Sequence, residues 1–136
     1  MKIYIDSNIF IYAAIDNDKK GEKSRQILKN IALGKYDAAT SSLTIDEVVW
    51  KIAKETKDRD KAIKESLRIL MFNNLKIIEI GKMEIFFSLA LMQKNKNLDP
   101  RDAIHLSAAD KFGTNLIASD DDDFDKFEGI KRVGLV

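Results

Sequence analysis

Short apolar segments alternate along the chain with longer segments whose apolar residues recur at helical spacing. The short segments are β-prone and bounded by polar turns, which is typical of buried strands. The predicted strands are Lys2–Asp6, Ala38–Ser41, Lys76–Ile80, Asn115–Ala118 and Lys131–Leu135.

The clearest helical periodicity begins at Leu43, where Ile45, Val48, Val49, Ile52 and Ala53 define one amphipathic face. The other predicted helices are Ser7–Ile15, Gly21–Leu33, Asp60–Phe72, a segment after Gly81 with Ile85, Phe86, Leu89 and Met92 in register, Pro100–Phe112, and a short turn in the aspartate run. Strands alternating with helices predict an α/β fold, in which a parallel sheet is covered by helices on both faces.

Composition narrows the class of protein. At 136 residues with 45% hydrophobic and 33% charged residues, the chain fits one soluble domain. The apolar start is interrupted by Asp6 and Asn8, so a signal peptide is not expected, and no run approaches the ~20 residues of a membrane span. With no cysteine present, we expect a cytoplasmic protein that does not contact membranes.

Acidic residues follow the predicted strands or open the predicted helices. Asp6 ends the first strand, Glu47 lies in the first turn of the helix after the second, and Asp102 lies in the first turn after Pro100. Asp120–Asp123 follow the Asn115–Ala118 strand. Because ligand sites of parallel sheets lie beyond the carboxyl ends of the strands, we expect several of these carboxylates to converge.

Converging carboxylates repel one another, and a hard cation relieves that repulsion. Mg²⁺ or Mn²⁺ prefers oxygen ligands, whereas a single histidine and no cysteine make zinc a poor fit. Such an ion activates water and offsets charge on a transferring phosphate, which is the chemistry of phosphodiester hydrolysis.

Simpler interpretations exist for each acid. Asp6 fits a helix N-cap, Thr44–Glu47 fits a capping box, and Asp102 suits the helix dipole. The run at 120–125 could be a solvated turn. Capping alone does not explain four acids at one edge of a sheet, so the metal hypothesis is preferred.

Other conspicuous residues receive structural interpretations. His105 is interpreted as a partly buried histidine bonded to backbone, and Trp50 and the Phe86–Phe87 pair as core or dimer surface rather than a base-stacking platform. The basic stretch from Lys51 to Arg68 is interpreted as a solvated helix face that could also follow an RNA backbone. The net charge of +1 does not by itself indicate a nucleic-acid binder.

Four short segments, IYIDSNIFIYA, SSLTIDEVVW, LDPRDAIHLSAA and IASDDDDFDKF, occur in the order and near the spacing of the PIN-domain family. The chain resembles that family, and within it the VapC-like toxins of toxin–antitoxin pairs. The resemblance covers residues 1–136 as a single PIN-like nuclease domain and implies a three-layer α/β/α sandwich with a short, mainly parallel central sheet.

The resemblance also implies roles for individual residues. The family's acids map to Asp6, Glu47, Asp102 and Asp121 as catalytic residues. Asp6, Asp102, Asp121 and Asp123 are the expected metal ligands, and Ser7, Asn8, Ser119 and Asp120 are accessory, with Asp120 the alternative to Asp121. The implied function is Mg²⁺- or Mn²⁺-dependent cleavage of RNA by a homodimer that a cognate antitoxin inhibits.

Two alternatives within the family remain open, a housekeeping RNA-processing nuclease and a non-catalytic RNA-binding module. Outside it, a haloacid-dehalogenase-like phosphatase would need a second aspartate where Asn8 stands. A response-regulator receiver domain would need paired acids after the first strand and a phosphoacceptor aspartate after a central strand, and neither is evident.

Overall fold

A computed structural model describes residues 1–135 of the chain. The strands are β1 (Lys2–Ile5), β2 (Asp37–Ser41), β3 (Leu75–Ile78), β4 (Leu116–Ala118) and β5 (Lys131–Val133). The helices are α1 (Ser7–Ile15), α2 (Lys19–Ala32), α3 (Ser42–Thr56), α4 (Arg59–Leu70), α5 (Lys82–Lys94) and α6 (Pro100–Phe112), with a short 3₁₀ helix over Asp122–Lys126. The predicted elements are confirmed, with boundaries shifted by one or two residues.

The five strands form one sheet in the order β3-β2-β1-β4-β5, and every pairing is parallel. Because successive side chains of a strand point to opposite faces, β1 contributes to two cores. Ile3 and Ile5 pack with residues of α1–α4, whereas Tyr4 packs with Leu106 and other residues of α6. The protein is therefore an α/β/α sandwich, as predicted.

The order of the strands determines where the site lies. β1 is central, between β2 and β4, and its carboxyl end leads directly into α1 through Asp6. The backbone N–H of Asp6 donates to the carbonyl of Ala118 at 3.0 Å, so the ends of β1 and β4 meet. Among residues 1–135, no helix combines the length and apolarity needed to cross a membrane.

Helix α3 corrects a detail of the sequence analysis. It begins at Ser42 with Ser41 as the N-cap residue, so Glu47 lies in its second turn and the prediction of the first turn is wrong. The capping-box interpretation of Thr44–Glu47 is also wrong, because Thr44 lies inside the helix, is buried, and has its hydroxyl oxygen 2.7 Å from Thr40 Oγ1. Glu47 is therefore free of a capping role.

Candidate active site

Asp6 is a buried carboxylate held by residues from both ends of the chain. Its Oδ1 accepts from the Ser7 backbone N–H at 2.7 Å, so Asp6 does cap α1. Its Oδ2 accepts from Ser119 Oγ at 2.6 Å and from Asn8 Nδ2 at 3.3 Å. Capping thus accounts for one of its two oxygens, and the other is oriented by accessory residues that the sequence analysis named.

Asn8 and Ser119 also fix the loop that carries the aspartate run. Asn8 Nδ2 donates to Ser119 Oγ at 3.2 Å, and its Oδ1 accepts from the Asp120 backbone N–H at 3.2 Å. Ser119 Oγ in turn accepts from the Asp121 N–H at 3.0 Å. Ser7 Oγ lies 3.4 Å from Asp6 Oδ1. Hydrogen bonds from the side chains of Asn8 and Ser119 therefore connect the start of α1 to the loop after β4.

His105 lies inside the acidic site. It is 1% exposed, its Nε2 lies 2.6 Å from Glu47 Oε1 and 3.4 Å from Asp6 Oδ1, and its Nδ1 lies 2.7 Å from the Tyr4 hydroxyl. Burial alone lowers the pKa of His105, but Tyr4, Glu47 and Asp6 together raise it well above its usual value. The interpretation of His105 as a histidine bonded to backbone is wrong, because both ring nitrogens face side chains.

Asp102, Asp121 and Asp123 form a second group of carboxylates, with one oxygen from each within 4.8 Å of the others. Asp102 stands in the first turn of α6, as predicted, and Asp121 and Asp123 flank the start of the 3₁₀ helix. Burial, with the charges of Asp121 and Asp6, raises the pKa of Asp102 to about 7. Burial, followed by the charges of Asp123 and Asp6, raises the pKa of Asp121.

The two groups form one negative region. Asp6, Glu47 and His105 place one ligand atom each within 4.8 Å of one another, and Asp6 acts on the pKa of both Asp102 and Asp121. The structure therefore brings the predicted acids together in two neighbouring groups, Asp6 with Glu47 and Asp102 with Asp121 and Asp123.

Asp120 points to other partners. Its Oδ2 accepts from Lys20 Nζ at 2.7 Å and from the Tyr12 hydroxyl at 3.1 Å. A carboxylate neutralised in this way is a poor candidate for a shared cation, which favours Asp121 over Asp120 as the fourth acid. Of the two candidates for the fourth acid, Asp120 and Asp121, the contacts of Asp120 thus favour Asp121.

The donor set fits a hard divalent cation. Asp102, Asp121 and Asp123 offer only carboxylate oxygens, and ligands on opposite sides of an ion with bonds of about 2.1 Å stand about 4 Å apart. Burial raises the pKa of Asp102 most, and the negative charges of Asp121 and Asp6 raise it further, so a cation bound here would relieve unfavourable negative charge. Mg²⁺ or Mn²⁺ would suit such ligands better than zinc, because the one imidazole is already engaged by Tyr4 and Glu47.

Sequence reasoning missed the partners of His105 and Asp120. Tyr4 lies 101 positions before His105, and Lys20 lies 100 positions before Asp120. A partial signal for the first pair was present, because His105 follows Asp102 at helical spacing and therefore had to face the same region.

Comparison with known proteins agrees with this geometry. A family model described as PIN domain matches residues 3–130. The protein named Ribonuclease VapC1 from Aquifex aeolicus (strain VF5) is 30% identical over 124 residues, which cover 90% of this chain and 83% of that protein.

Solved structures share the fold at lower identity. The structure of VapBC2 from Rickettsia felis bound to a DNA fragment from its promoter matches with a TM-score of 0.73 and 19% identity over 98% of both chains. Mycobacterium tuberculosis VapC20, described as a toxin that cleaves the sarcin-ricin loop, matches with a TM-score of 0.75 and 11% identity over 90% of this chain and 92% of that one. With the family model spanning nearly all of its length, this chain belongs to the PIN-domain family.

Proposed function

We propose that this protein is a metal-dependent endoribonuclease that hydrolyses RNA phosphodiester bonds and acts as the toxin of a type II toxin–antitoxin pair. The observation that carries the proposal is the grouping of carboxylates near the joined ends of β1 and β4, Asp6 with Glu47 and Asp102 with Asp121 and Asp123. The name of its relative, Ribonuclease VapC1, supports RNA as the substrate class.

Four of the acids share one task in this proposal, which is to hold the metal ion. Asp6, Asp102, Asp121 and Asp123 would hold Mg²⁺ or Mn²⁺, which supplies a polarised water and neutralises charge on the phosphate when bound. Asp6 is preorganised for this by Ser7, Asn8 and Ser119.

Glu47 is suited to a different step. Its side chain is 20% exposed and lines an open cavity, while His105 Nε2 lies 2.6 Å from its Oε1. It can orient the water that attacks phosphorus and accept that water's proton. The reaction forms one P–O bond to the water oxygen and breaks the P–O bond to the departing ribose oxygen.

The primary experiment measures cleavage of RNA with Mg²⁺, with Mn²⁺ and with EDTA. Wild type should cleave only with metal, and Asp6→Asn should reduce cleavage by at least about 100-fold, since the variant keeps its shape but loses a ligand charge. Asp110→Asn, on the exposed side of α6, is the matched control and should retain activity. Equal cleavage by wild type and Asp6→Asn would contradict the metal mechanism.

The toxin role needs its own measurements. Several structural neighbours are complexes, such as one described as a toxin–antitoxin complex from Klebsiella pneumoniae, and this supports an antitoxin partner here. Induced expression of wild type, but not of Asp6→Asn, should arrest growth, and co-expression of a short neighbouring reading frame should restore it. Cleavage without growth arrest would favour the housekeeping nuclease, and binding without cleavage would favour the non-catalytic module.

The predicted homodimer can be tested on the same preparation. Light scattering after size exclusion should give about twice the 15.5 kDa mass of one chain. A mass of one chain over the micromolar range would contradict the dimer without affecting the nuclease proposal.

A further inference from the structure

A cavity of about 440 Å³ opens beside Glu47, within the roughly 300–1,000 Å³ typical of ligand sites. Its walls come from three helices that also supply the acidic site. They are Ser7 and Ile11 of α1, Asp46, Glu47, Trp50 and Lys51 of α3, and Arg101 of α6. The cavity is therefore continuous with the acids through Glu47 and adjacent to Asp6 and Asp102 through their chain neighbours.

Trp50 is the most unusual part of this wall. Trp50 is 59% exposed, although tryptophan carries the largest apolar surface of any residue. Of the two interpretations given to Trp50, core or dimer surface, this exposure excludes the core. Lys54 Nζ lies 4.8 Å from the ring centroid, so a cation steadies the indole. An exposed, oriented indole beside catalytic carboxylates is a surface on which a planar group can stack.

Positive charge accompanies the indole. Lys51 and Arg101 line the same cavity. Among residues 1–135, the ion-pair partner of Lys51 is the exposed Glu55 at 3.1 Å, and solvent and salt weaken this pair. Asp46 and Glu47 supply the negative charge of the wall. Mixed charge around an aromatic ring suits a ligand with both a base and a phosphate better than a purely apolar segment.

We propose that this cavity binds an unpaired nucleotide of the RNA substrate, with its base stacked on Trp50 and its phosphate near Lys51 and Arg101. The inference rests on the proposed nuclease function and adds to it a subsite next to the scissile bond. Stacking requires a base with a free face, so the subsite selects single-stranded RNA over a continuous duplex.

Trp50 is also a built-in probe, because the chain contains one tryptophan. In EDTA, a single-stranded hexaribonucleotide should quench its fluorescence, and the same strand in a duplex should quench it less. Because this fluorescence measurement needs no metal and no cleavage, it tests the subsite independently of the nuclease proposal. Binding seen by anisotropy of a labelled strand without any change in Trp50 emission would overturn the subsite.

Variants give the second arm of the test. Trp50→Ala should weaken hexaribonucleotide binding by roughly 5- to 100-fold and raise KM for cleavage with kcat little changed, whereas Trp50→Phe should recover part of the affinity. Arg101→Gln should reduce the dependence of log K on log salt by about 0.7. Phe86→Ala on α5, where Phe86 is 69% exposed, is the control and should leave affinity unchanged.

The outcomes distinguish the two proposals. Metal-dependent cleavage with unchanged affinity in Trp50→Ala would overturn the subsite and leave the nuclease proposal intact. Base stacking on Trp50 without cleavage under any metal would support the subsite and contradict the nuclease. Circular dichroism of Trp50→Ala should match wild type, because the residue is on the surface.

Discussion

Glu47 and His105, from α3 and α6, are joined by a 2.6 Å contact between Oε1 and Nε2. An ionised glutamate can only accept, so this contact requires the proton on Nε2, either in the Nε2-protonated neutral tautomer or in the imidazolium. The other ring nitrogen lies 2.7 Å from the Tyr4 hydroxyl, which in turn lies 2.9 Å from Ser41 Oγ. A continuous chain of polar contacts thus runs from Ser41 and Tyr4 in the sheet through His105 to Glu47.

Replacing His105 tests this arrangement. His105→Ala should lower the free energy of unfolding by about 3 kcal/mol, because it leaves a void and removes the donor between two carboxylates. It should also lower kcat for RNA cleavage, since Glu47 loses its orientation. Ser107→Ala is the control, because Ser107 is also buried on α6 but its hydroxyl donates to a backbone carbonyl, that of Glu84, at 3.1 Å. Denaturant unfolding of both variants gives the comparison, and equal losses would contradict the prediction.

Asp102 makes the stability of the metal-free protein depend on pH. The pKa of its carboxyl rises from 3.8 to about 7 on folding, so the folded state binds the proton more tightly. The free energy of unfolding therefore falls as pH rises from about 4 to about 7. Asp102→Asn removes this contribution and should be more stable than wild type at pH 8 by about 1–2 kcal/mol, after allowance for solvent screening of a partly exposed group. Denaturation in EDTA at pH 4 and 8 checks this, and a variant less stable than wild type at pH 8 would contradict it.

Substitution of Asp121 should reduce activity far more than substitution of its neighbour Asp120. Asp121→Asn should reduce metal-dependent cleavage by about 100-fold or more, because Asp121 is grouped with Asp102 and Asp123. Asp120→Asn should retain most activity, since its carboxylate is bound by Lys20 and Tyr12. Initial rates at saturating Mn²⁺ decide between them. The reverse order would make Asp120 the fourth acid.

Metal should stabilise the fold by relieving repulsion among the carboxylates. Mn²⁺ at 100 times its Kd should add about 2.7 kcal/mol to the free energy of unfolding and raise Tm. Asp121→Asn should show a much smaller rise, because one ligand is gone. Thermal scans with and without EDTA measure both. No Tm change in wild type at millimolar Mn²⁺ would count against a cation site here.

Gly21 is required by a close approach within the chain. It is buried in α2, and a β-carbon there would overlap the carbonyl oxygen of Asp16. Gly21→Ala should therefore cost about 2 kcal/mol or more, although alanine favours helices. Gly81→Ala is the control, because its β-carbon would meet Glu84 Oε1 at an ordinary 3.4 Å and should cost about 1 kcal/mol or less. Chemical unfolding of the pair measures the difference.

The positions of the leading acids were predictable because they depend on general rules. Asp6 and Asp102 stand at a strand end and a helix start, and parallel sheets collect ligands there. Strand and helix order followed from periodicity alone. The sequence pattern also predicted helix α5, yet Phe86 and Leu89 on it are exposed, since spacing shows a common face but not whether anything covers it.

The start of α3 and the surroundings of His105 could not be predicted from local sequence, because both depend on contacts with other elements of the fold. Thr44 resembles a capping residue, but its hydroxyl is held by Thr40, whose own Oγ donates to the Ile5 carbonyl at 2.7 Å. The start of α3 was therefore decided by the neighbouring strand. The surroundings of His105 depend in the same way on Tyr4, which reaches it only after the sheet has formed.

The bond between Ser119 and Asp6 joins residues 113 positions apart, and this distance has a consequence in time. A ribosome adding roughly 5–20 residues per second needs about 6 to 23 seconds between the two. Throughout that interval the growing chain displays Asp6 without the loop that orients it and without Asp121. We therefore expect a nascent chain to lack nuclease activity until the segment that carries Ser119 and Asp121 has been synthesised.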